Sequence, residues 1–185
     1  LNMYGYSKLL FDRWAQRAGV LEKIVSLRFF NVYGPNEYHK GDMKSMICKA
    51  FKQIQESGNI RLFASDKPEY PDGGQMRDFV YVKDCVAVQA WLLEHPNVNG
   101  IFNVGSGKAR TWNDLANAVF KSLGKEPNIC YVGMPSHLKG KYQYFTQADI
   151  SRLADYGYPI EQFHSLENGV QDYVRNYLTQ PDPYL

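Results

Sequence analysis

The sequence predicts an α/β fold, because helical and strand patterns alternate along its 185 residues. Segments with apolar residues at helical spacing are separated by short runs rich in β-branched and aromatic residues. Glycines stand where several of the helical segments end, as expected for left-handed helix caps. The length allows one well-filled core and does not by itself require two domains.

The first helix and the first strand show how each element is predicted. A helix is expected over residues 4–18, with Leu9 and Trp14 on one apolar face and Gly19 placed to end it. The run at 24–30 is continuously apolar or β-prone, which is typical of a strand covered on both faces.

Later elements follow from the same two signals. Thr111 and Asp114 form a capping-box pattern, which marks the start of a helix. The other predicted elements are, in order, a loop at 31–35, a helix at 43–57 closed by Gly58, a strand at 60–63, a loop through Gln75, a strand at 79–82, a helix carrying Val86 to Leu93, a strand at 101–104, the capped helix from 111 to about 124, a strand at 128–132, an irregular stretch at 133–148, and short helices near 149–155 and 165–178.

Composition excludes several classes of function. The net charge of +2 and the lack of a basic stripe argue against a nucleic-acid binder. The sequence contains no apolar run of membrane-spanning length, and its histidines lack metal-ligand spacing, so neither a membrane span nor a metal site is expected. Three widely spaced cysteines suggest reduced core thiols in a cytoplasmic protein: Cys48, Cys85 and Cys130.

Tyr4 and Lys8 are the first candidate catalytic pair. Four residues apart on a helix, their side chains are neighbours. A nearby ammonium favours the phenolate form of tyrosine, which can then exchange a proton with a substrate hydroxyl. An ordinary exposed pair on a helix surface is the alternative, since the motif is short.

The glycine-rich stretch 103–108 superficially suggests a phosphate loop. It lacks the spacing of a Walker A motif, and it also lacks the third glycine of a dinucleotide fingerprint. A tight exit from the preceding strand is the preferred interpretation.

Four motifs occur in an order that resembles the extended short-chain dehydrogenase/reductase superfamily: Tyr-Gly-Tyr-Ser-Lys at 4–8, Leu-Arg-Phe-Phe-Asn-Val-Tyr-Gly-Pro at 27–35, Arg-Asp-Phe-Val-Tyr-Val-x-Asp at 77–84 and Phe-Asn-Val-Gly-Ser-Gly at 102–107. Two further segments, 38–41 and 138–149, are similar to the epimerases of that superfamily that act on ADP-heptose nucleotide sugars. The resemblance extends from Tyr4 to about Val174.

For the fold, the resemblance implies the end of a Rossmann-type doubly wound parallel sheet plus a smaller α/β substrate-binding domain. Residues 1–32 would be the tail of the NAD(P)-binding domain, with 78–105 returning to it. Residues 33–77 and 106–185 would form the substrate-binding domain. Because the Tyr motif follows Leu1 so closely, we expect a longer protein whose dinucleotide motif and catalytic Ser or Thr lie upstream, and a fragment that is inactive alone.

For the activity, the resemblance implies conversion of ADP-D-glycero-D-manno-heptose to the L-glycero form, in a homo-oligomer that serves lipopolysaccharide core synthesis. The C6–H bond is not acidic, so inversion requires transient oxidation and reduction at C6 with NADP, or alternatively NAD. The resemblance makes Tyr4 and Lys40 the two catalytic bases, and Lys8, Val32 and Lys40 the cofactor contacts.

The substrate contacts that the resemblance implies are Asn31 for the sugar, Asp42 and Lys49 in the substrate shell, Phe63, Ala64, Ser65 and Asp66 along the nucleotide, Arg77 for the diphosphate, and Tyr142. Two of these depart from the family's pattern, because Asp42 stands in place of Ser and Lys49 in place of His. The stretch 67–76 is also longer than usual and could reshape the mouth of the nucleotide site.

Two alternatives remain at this point. A UDP- or dTDP-sugar 4-epimerase or 4,6-dehydratase would share the four general motifs, but it would not be expected to carry segments 38–41 and 138–149. A non-catalytic relative that only binds dinucleotide would have no use for Tyr4, Lys8 and Lys40 together.

Overall fold

Parallel strand pairs joined through helices dominate the computed structural model, which describes residues 3–184. Residues 1, 2 and 185, which belong to the predicted ranges 1–32 and 106–185, lie outside the described residues. The elements are α1 (Met3–Arg17), β1 (Val25–Phe29), β2 (Asn31–Tyr33), α2 (Met46–Ser57), β3 (Ile60–Phe63), β4 (Met76–Tyr81), α3 (Val82–Glu94), β5 (Gly100–Val104), β6 (Ala109–Thr111), α4 (Trp112–Ser122), β7 (Ile129–Val132), α5 (Ser151–Asp155) and α6 (Leu166–Tyr173), which continues as a π-helical turn (Val174–Leu178). Short 3₁₀ turns lie at Val20–Glu22, Tyr38–Met43 and Ile160–Gln162.

The strands form three small sheets within the described residues. β1 pairs in parallel with β5, and β3 pairs in parallel with β7. The third sheet is mixed, because β4 lies between parallel β2 and antiparallel β6. Since parallel pairs need crossover connections, this pattern confirms the α/β class.

Local signals account for most element boundaries. Gly58 ends α2 in the left-handed conformation, with φ of 72°. The hydroxyl of Thr111 accepts the backbone N–H of Asp114 at 2.9 Å, and the Asp114 carboxylate accepts the N–H of Thr111 at 2.9 Å, so the predicted capping box is confirmed.

Three details differ from the predictions. Residues 31–33 form β2 rather than part of a loop, because pairing with β4 prevails until Gly34 and Pro35 end the strand. β6 was not predicted, since three residues are too few to show a strand pattern. The second helix begins at Met46 rather than residue 43, because Ser45 caps it by accepting the N–H of Cys48.

Two separate clusters of buried apolar residues stabilise the fold. One lies between α2, α4, α6 and the strands β3 and β4, and includes Ile47, Leu115 and Tyr173. The other lies under β1 and β5, and includes Val88 and Phe102. In the described part of the chain, no helix is long and apolar enough to cross a membrane.

The cysteine prediction is partly wrong. Cys48 and Cys85 are buried, as expected, but Cys130 is exposed. β7 pairs only with β3 among the described strands, and the side chains of Cys130 and Tyr131 on β7 are both exposed.

Candidate functional site

Arg77 is a buried cation without a carboxylate partner among the described residues. It lies on β4 and is 9% exposed. Its Nη1 donates to the backbone oxygen of Met76 at 2.7 Å, and its guanidinium carbon lies 5.1 Å from the ring centre of Tyr142 and 5.9 Å from that of Trp112. Burial lowers the pKa of Arg77, and Tyr142 partly opposes this shift. A buried charge without a counter-ion is costly, so this position is suited to binding an anion.

An apolar slot of about 290 Å³ lies next to Arg77. The indole Nε1 of Trp112 donates to the hydroxyl of Tyr142 at 3.1 Å, which fixes the two rings relative to each other. Phe63 meets Tyr142 edge-on, with ring centres 6.2 Å apart. The residues that line the slot are Met46, Gln53, Arg61, Leu62, Phe63, Trp112 and Tyr142. Walls of this kind suit a flat ring with a few polar atoms at its edge.

The segment after β3 is held in place through its backbone. The N–H of Ser65 donates to the Asp72 carboxylate at 2.7 Å, and the N–H of Asp66 donates to the hydroxyl of Tyr144 at 2.9 Å. Tyr144 also contacts the Asp66 carboxylate. The N–H of Ala64 donates to a backbone oxygen of β7. The predicted contact residues 63–66 therefore form a rigid edge beside the slot.

Asp42 and Lys49 lie together in a second cleft of about 870 Å³. Lys49 Nζ donates to the backbone oxygen of Asp42 at 2.6 Å. Gln53, one helical turn beyond Lys49, lines both this cleft and the slot, so α2 connects the two. Lys40 is exposed in the preceding turn, where its N–H donates to the backbone oxygen of Glu37.

Tyr4 and Lys8 form the third group of predicted site residues. Lys8 Nζ lies 5.2 Å from the ring centre of Tyr4, and both side chains are exposed on α1. Asn31 and Val32 are exposed on β2, just after β1. No hydrogen bond or ion pair within residues 3–184 joins this group to the residues around Arg77.

The glycine-rich loop after β5 does bind a carboxylate, but it is the chain's own. Asp78, fully buried, accepts the N–H groups of Ser106 at 2.6 Å, Gly107 at 2.9 Å and Ala148 at 3.0 Å. These amides are already satisfied, so the prediction of a tight strand exit rather than a phosphate loop is confirmed.

Several residues at the site were not singled out from the sequence. Trp112 and Gln53 line the slot, and Tyr144 holds the 63–66 segment. Trp112 was detectable in principle, because it directly follows the capping Thr111, and Gln53 follows Lys49 by one turn on α2. The described residues contain no cluster suited to a metal ion.

Residues 1–105 match the sequence profile of the NAD dependent epimerase/dehydratase family. The chain belongs to this family. This chain is 63% identical over 185 residues to a curated Nitratidesulfovibrio vulgaris protein named ADP-L-glycero-D-manno-heptose-6-epimerase. The alignment covers all of this chain and 57% of the relative. A protein of the same name from Fusobacterium nucleatum is 46% identical over 192 residues, with 100% of this chain and 58% of the relative covered.

Solved structures give the same relationship. The Helicobacter pylori ADP-L-glycero-D-manno-heptose-6-epimerase superposes with a TM-score of 0.75 at 27% identity, over 95% of this chain and 51% of that one. The Bacillus anthracis dTDP-glucose 4,6-dehydratase, in complex with NAD, matches with a TM-score of 0.72 at 19% identity over 98% of this chain and 53% of that one, which shows a shared fold. The family member described here thus spans a little over half the length of its curated relatives.

Proposed function

We propose that this chain supplies the substrate-binding and proton-transfer residues of an ADP-heptose 6-epimerase, which converts ADP-D-glycero-D-manno-heptose to the L-glycero form with NADP. The observation that carries the proposal is Arg77, a buried guanidinium without a carboxylate partner in the described residues, beside an aromatic slot. A guanidinium fork binds two phosphate oxygens at once, and the largely apolar, aromatic slot beside it suits a nucleobase. The names of the relatives at 63% and 46% identity support the choice of sugar nucleotide.

The substrate would extend from the slot across α2. The base lies in the slot with Phe63 and Tyr142, Ala64, Ser65 and Asp66 flank the nucleotide, and the diphosphate lies at Arg77. The sugar reaches Asn31, Asp42 and Lys49. In this arrangement the Asp42 carboxylate would repel a diphosphate at close range, so it faces sugar hydroxyls rather than phosphate.

Tyr4 and Lys8, adjacent on α1, and Val32 on β2 are exposed, so these predicted contact residues are accessible to a nicotinamide dinucleotide. Such a cofactor, when bound, supplies removal and return of hydride at C6. Tyr4 holds and moves the proton of the C6 oxygen on one side of the sugar, and Lys40 does so on the other. Lys8 binds the nicotinamide ribose next to Tyr4, and the Val32 backbone contacts the cofactor.

The larger assembly follows from the same proposal. Residues 1–32 and 78–105 belong to the cofactor-binding domain, while 33–77 and 106–185 form the substrate-binding domain. The enzyme is a cytoplasmic homo-oligomer, and the 185-residue chain alone is inactive because it spans only 57% of the relative's length.

A chimera tests the proposal, in which this chain is joined to the part of the Nitratidesulfovibrio vulgaris relative that it does not cover. The chimera is incubated with ADP-D-glycero-D-manno-heptose in D₂O, and proton NMR follows C6. Inversion with the C6 hydrogen retained is the expected result. Failure to turn over this substrate, together with inversion at C4 of a UDP-sugar, would identify a different member of the family.

Matched variants test the two bases. Tyr4→Phe is expected to lower kcat at least about 100-fold, and Tyr6→Phe, on the same helix, is the control. Lys40→Ala is expected to act similarly, with Lys125→Ala as its control, because Lys125 is exposed and lies outside both the slot and the cleft. Equal activities within either pair would remove that residue from the mechanism.

A further inference from the structure

Gln53 is the polar side chain on α2 that lines the aromatic slot, and nothing in the sequence pattern assigned it a role. Met46, two helical turns earlier on the same face, lines the slot beside it. The opposite side is formed by β3, Trp112 and Tyr142. Besides Gln53, the polar groups among these lining residues are the Arg61 side chain and the Trp112 and Tyr142 atoms that bond each other. In a largely apolar slot, so small a number of polar groups has a strong influence on which ligand binds.

The orientation of the Gln53 amide follows from one hydrogen bond. The backbone N–H of Arg61 donates to Gln53 Oε1 at 2.9 Å. A backbone N–H can only donate, so the oxygen must face Arg61; the reversed amide would bring two donors together. The amide nitrogen, Nε2, is therefore the atom left for a ligand, and it has no acceptor within the described residues.

We propose that Gln53 is a specificity-determining residue that reads the nucleobase, with Nε2 donating a hydrogen bond to a ring nitrogen of adenine in the slot. The inference rests on the proposed function for its choice of an adenine nucleotide. Arg77 contacts the ring of Tyr142, so a diphosphate bound there leaves the attached base next to the slot. Trp112 and Tyr142 cover the base, Met46 adds a polarisable apolar contact, and Gln53 fixes its rotation within the plane.

Calorimetric titration of the chimera with ADP and with its 1-, 3- and 7-deaza analogues tests this without any turnover. Gln53→Leu is expected to weaken ADP binding about 5- to 10-fold. One deaza analogue should bind the unmodified chimera about 5- to 10-fold more weakly than ADP, and should lose nothing further in Gln53→Leu. The other two analogues should respond to the substitution as ADP does.

Two further variants control for an effect of the substitution on folding. Gln55→Leu makes the same change on the exposed side of α2, outside the slot, and should leave ADP affinity unchanged. Gln53→Glu keeps an oxygen for the Arg61 N–H but removes the donor, so it should also weaken ADP while retaining the wild-type melting temperature.

The inference is overturned if neither Gln53 variant alters ADP affinity, or if Gln53→Leu weakens all three analogues by the same factor as ADP. Its failure is separable from that of the proposed function. Gln53-dependent ADP binding without epimerisation of ADP-heptose would refute the activity alone, and epimerisation with unchanged ADP binding in both variants would refute only the role of Gln53.

Discussion

Replacing Arg77 with methionine should strongly weaken nucleotide binding while leaving the stability of the fold nearly unchanged. The substitution removes one hydrogen bond, to the Met76 oxygen, and two cation–π contacts, to Tyr142 and Trp112. Together these contribute about 2–3 kcal/mol. Burying a guanidinium without a counter-ion costs a similar amount, and methionine fills the space without that cost. The free energy of unfolding should therefore change by less than about 1 kcal/mol.

Arg110 provides a matched control, because it lies directly opposite Arg77 in the β4–β6 pair. Unlike Arg77, it is paired with Glu167 at 2.5 Å and with Asp114 at 3.2 Å. Arg110→Met leaves two carboxylates without their cation. The pairs are partly exposed, so the expected loss is about 1–2 kcal/mol.

Urea denaturation of both variants in the chimera, followed by circular dichroism, measures the stabilities, and calorimetry measures ADP binding. Arg77→Met should lower ADP affinity about 100-fold, as expected for two charge-assisted hydrogen bonds to phosphate. Arg110→Met should leave ADP affinity unchanged. If Arg77→Met destabilises the fold as much as Arg110→Met does, or binds ADP as the wild type does, Arg77 is a structural residue and the anion site is wrong.

Three other predictions follow from buried or paired groups. Asp78→Asn should cost about 2–4 kcal/mol of unfolding free energy in urea, because the new amide N–H₂ faces either the N–H of Ser106 or those of Gly107 and Ala148. A loss below about 0.5 kcal/mol would show that these contacts are dispensable. Hydrogen bonding from Arg110 lowers the pKa of Glu167. The ionised carboxylate therefore stabilises the fold above its unfolded pKa of about 4.3, and this stabilisation is lost as pH falls through the lower folded pKa. The urea midpoint of Glu167→Gln should depend less on pH between about 6 and 3 than that of the wild type. A disulfide-exchange thiol reagent should label the exposed Cys130 quickly, but Cys48 and Cys85 only after denaturation. Burial raises the pKa of the Cys48 thiol and raises that of Cys85 to about 12, so neither forms the reactive thiolate readily. Fast labelling of a second thiol would contradict the packing.

The sequence predicted most helices and strands because their signals are local. Helical spacing, the Thr111–Asp114 capping box and Gly58 each act within a few residues. β2 and β6 were missed because each exists only through pairing with β4, and the paired residues lie more than 30 positions apart along the chain. Pairing between distant segments leaves no periodic trace in three residues.

The candidate site likewise combines residues that the sequence could indicate with contacts that only the fold creates. Arg77, Phe63 and Tyr142 were named from a resemblance, and the structure brings these three together. The absence of a carboxylate beside Arg77 within the described residues could not be foreseen, because it depends on which acids other segments place nearby. The same holds for Gln53, whose orientation is fixed by the backbone of β3 rather than by its own helix.

The loop after residue 66 shows how a segment can support a site without lining it. No residue between 67 and 74 is among those that line the slot. The loop instead folds back on the segment beside it: the N–H of Gly73 donates to the Phe63 oxygen, and the Asp72 carboxylate accepts the N–H of Ser65. Tyr70 packs on Tyr144, with ring centres 4.8 Å apart.

These contacts make the loop a support for residues 63–66 rather than a lid over the slot. The side chain of Asn113, at the start of α4, donates to the backbone oxygen of Asp72 at 2.8 Å and so ties the loop to the helix that carries Trp112. The loop therefore holds the side of the slot that β3 and Trp112 form, opposite α2. A loop that instead closed over a bound ligand would need to be free of such contacts, since each must break before it moves.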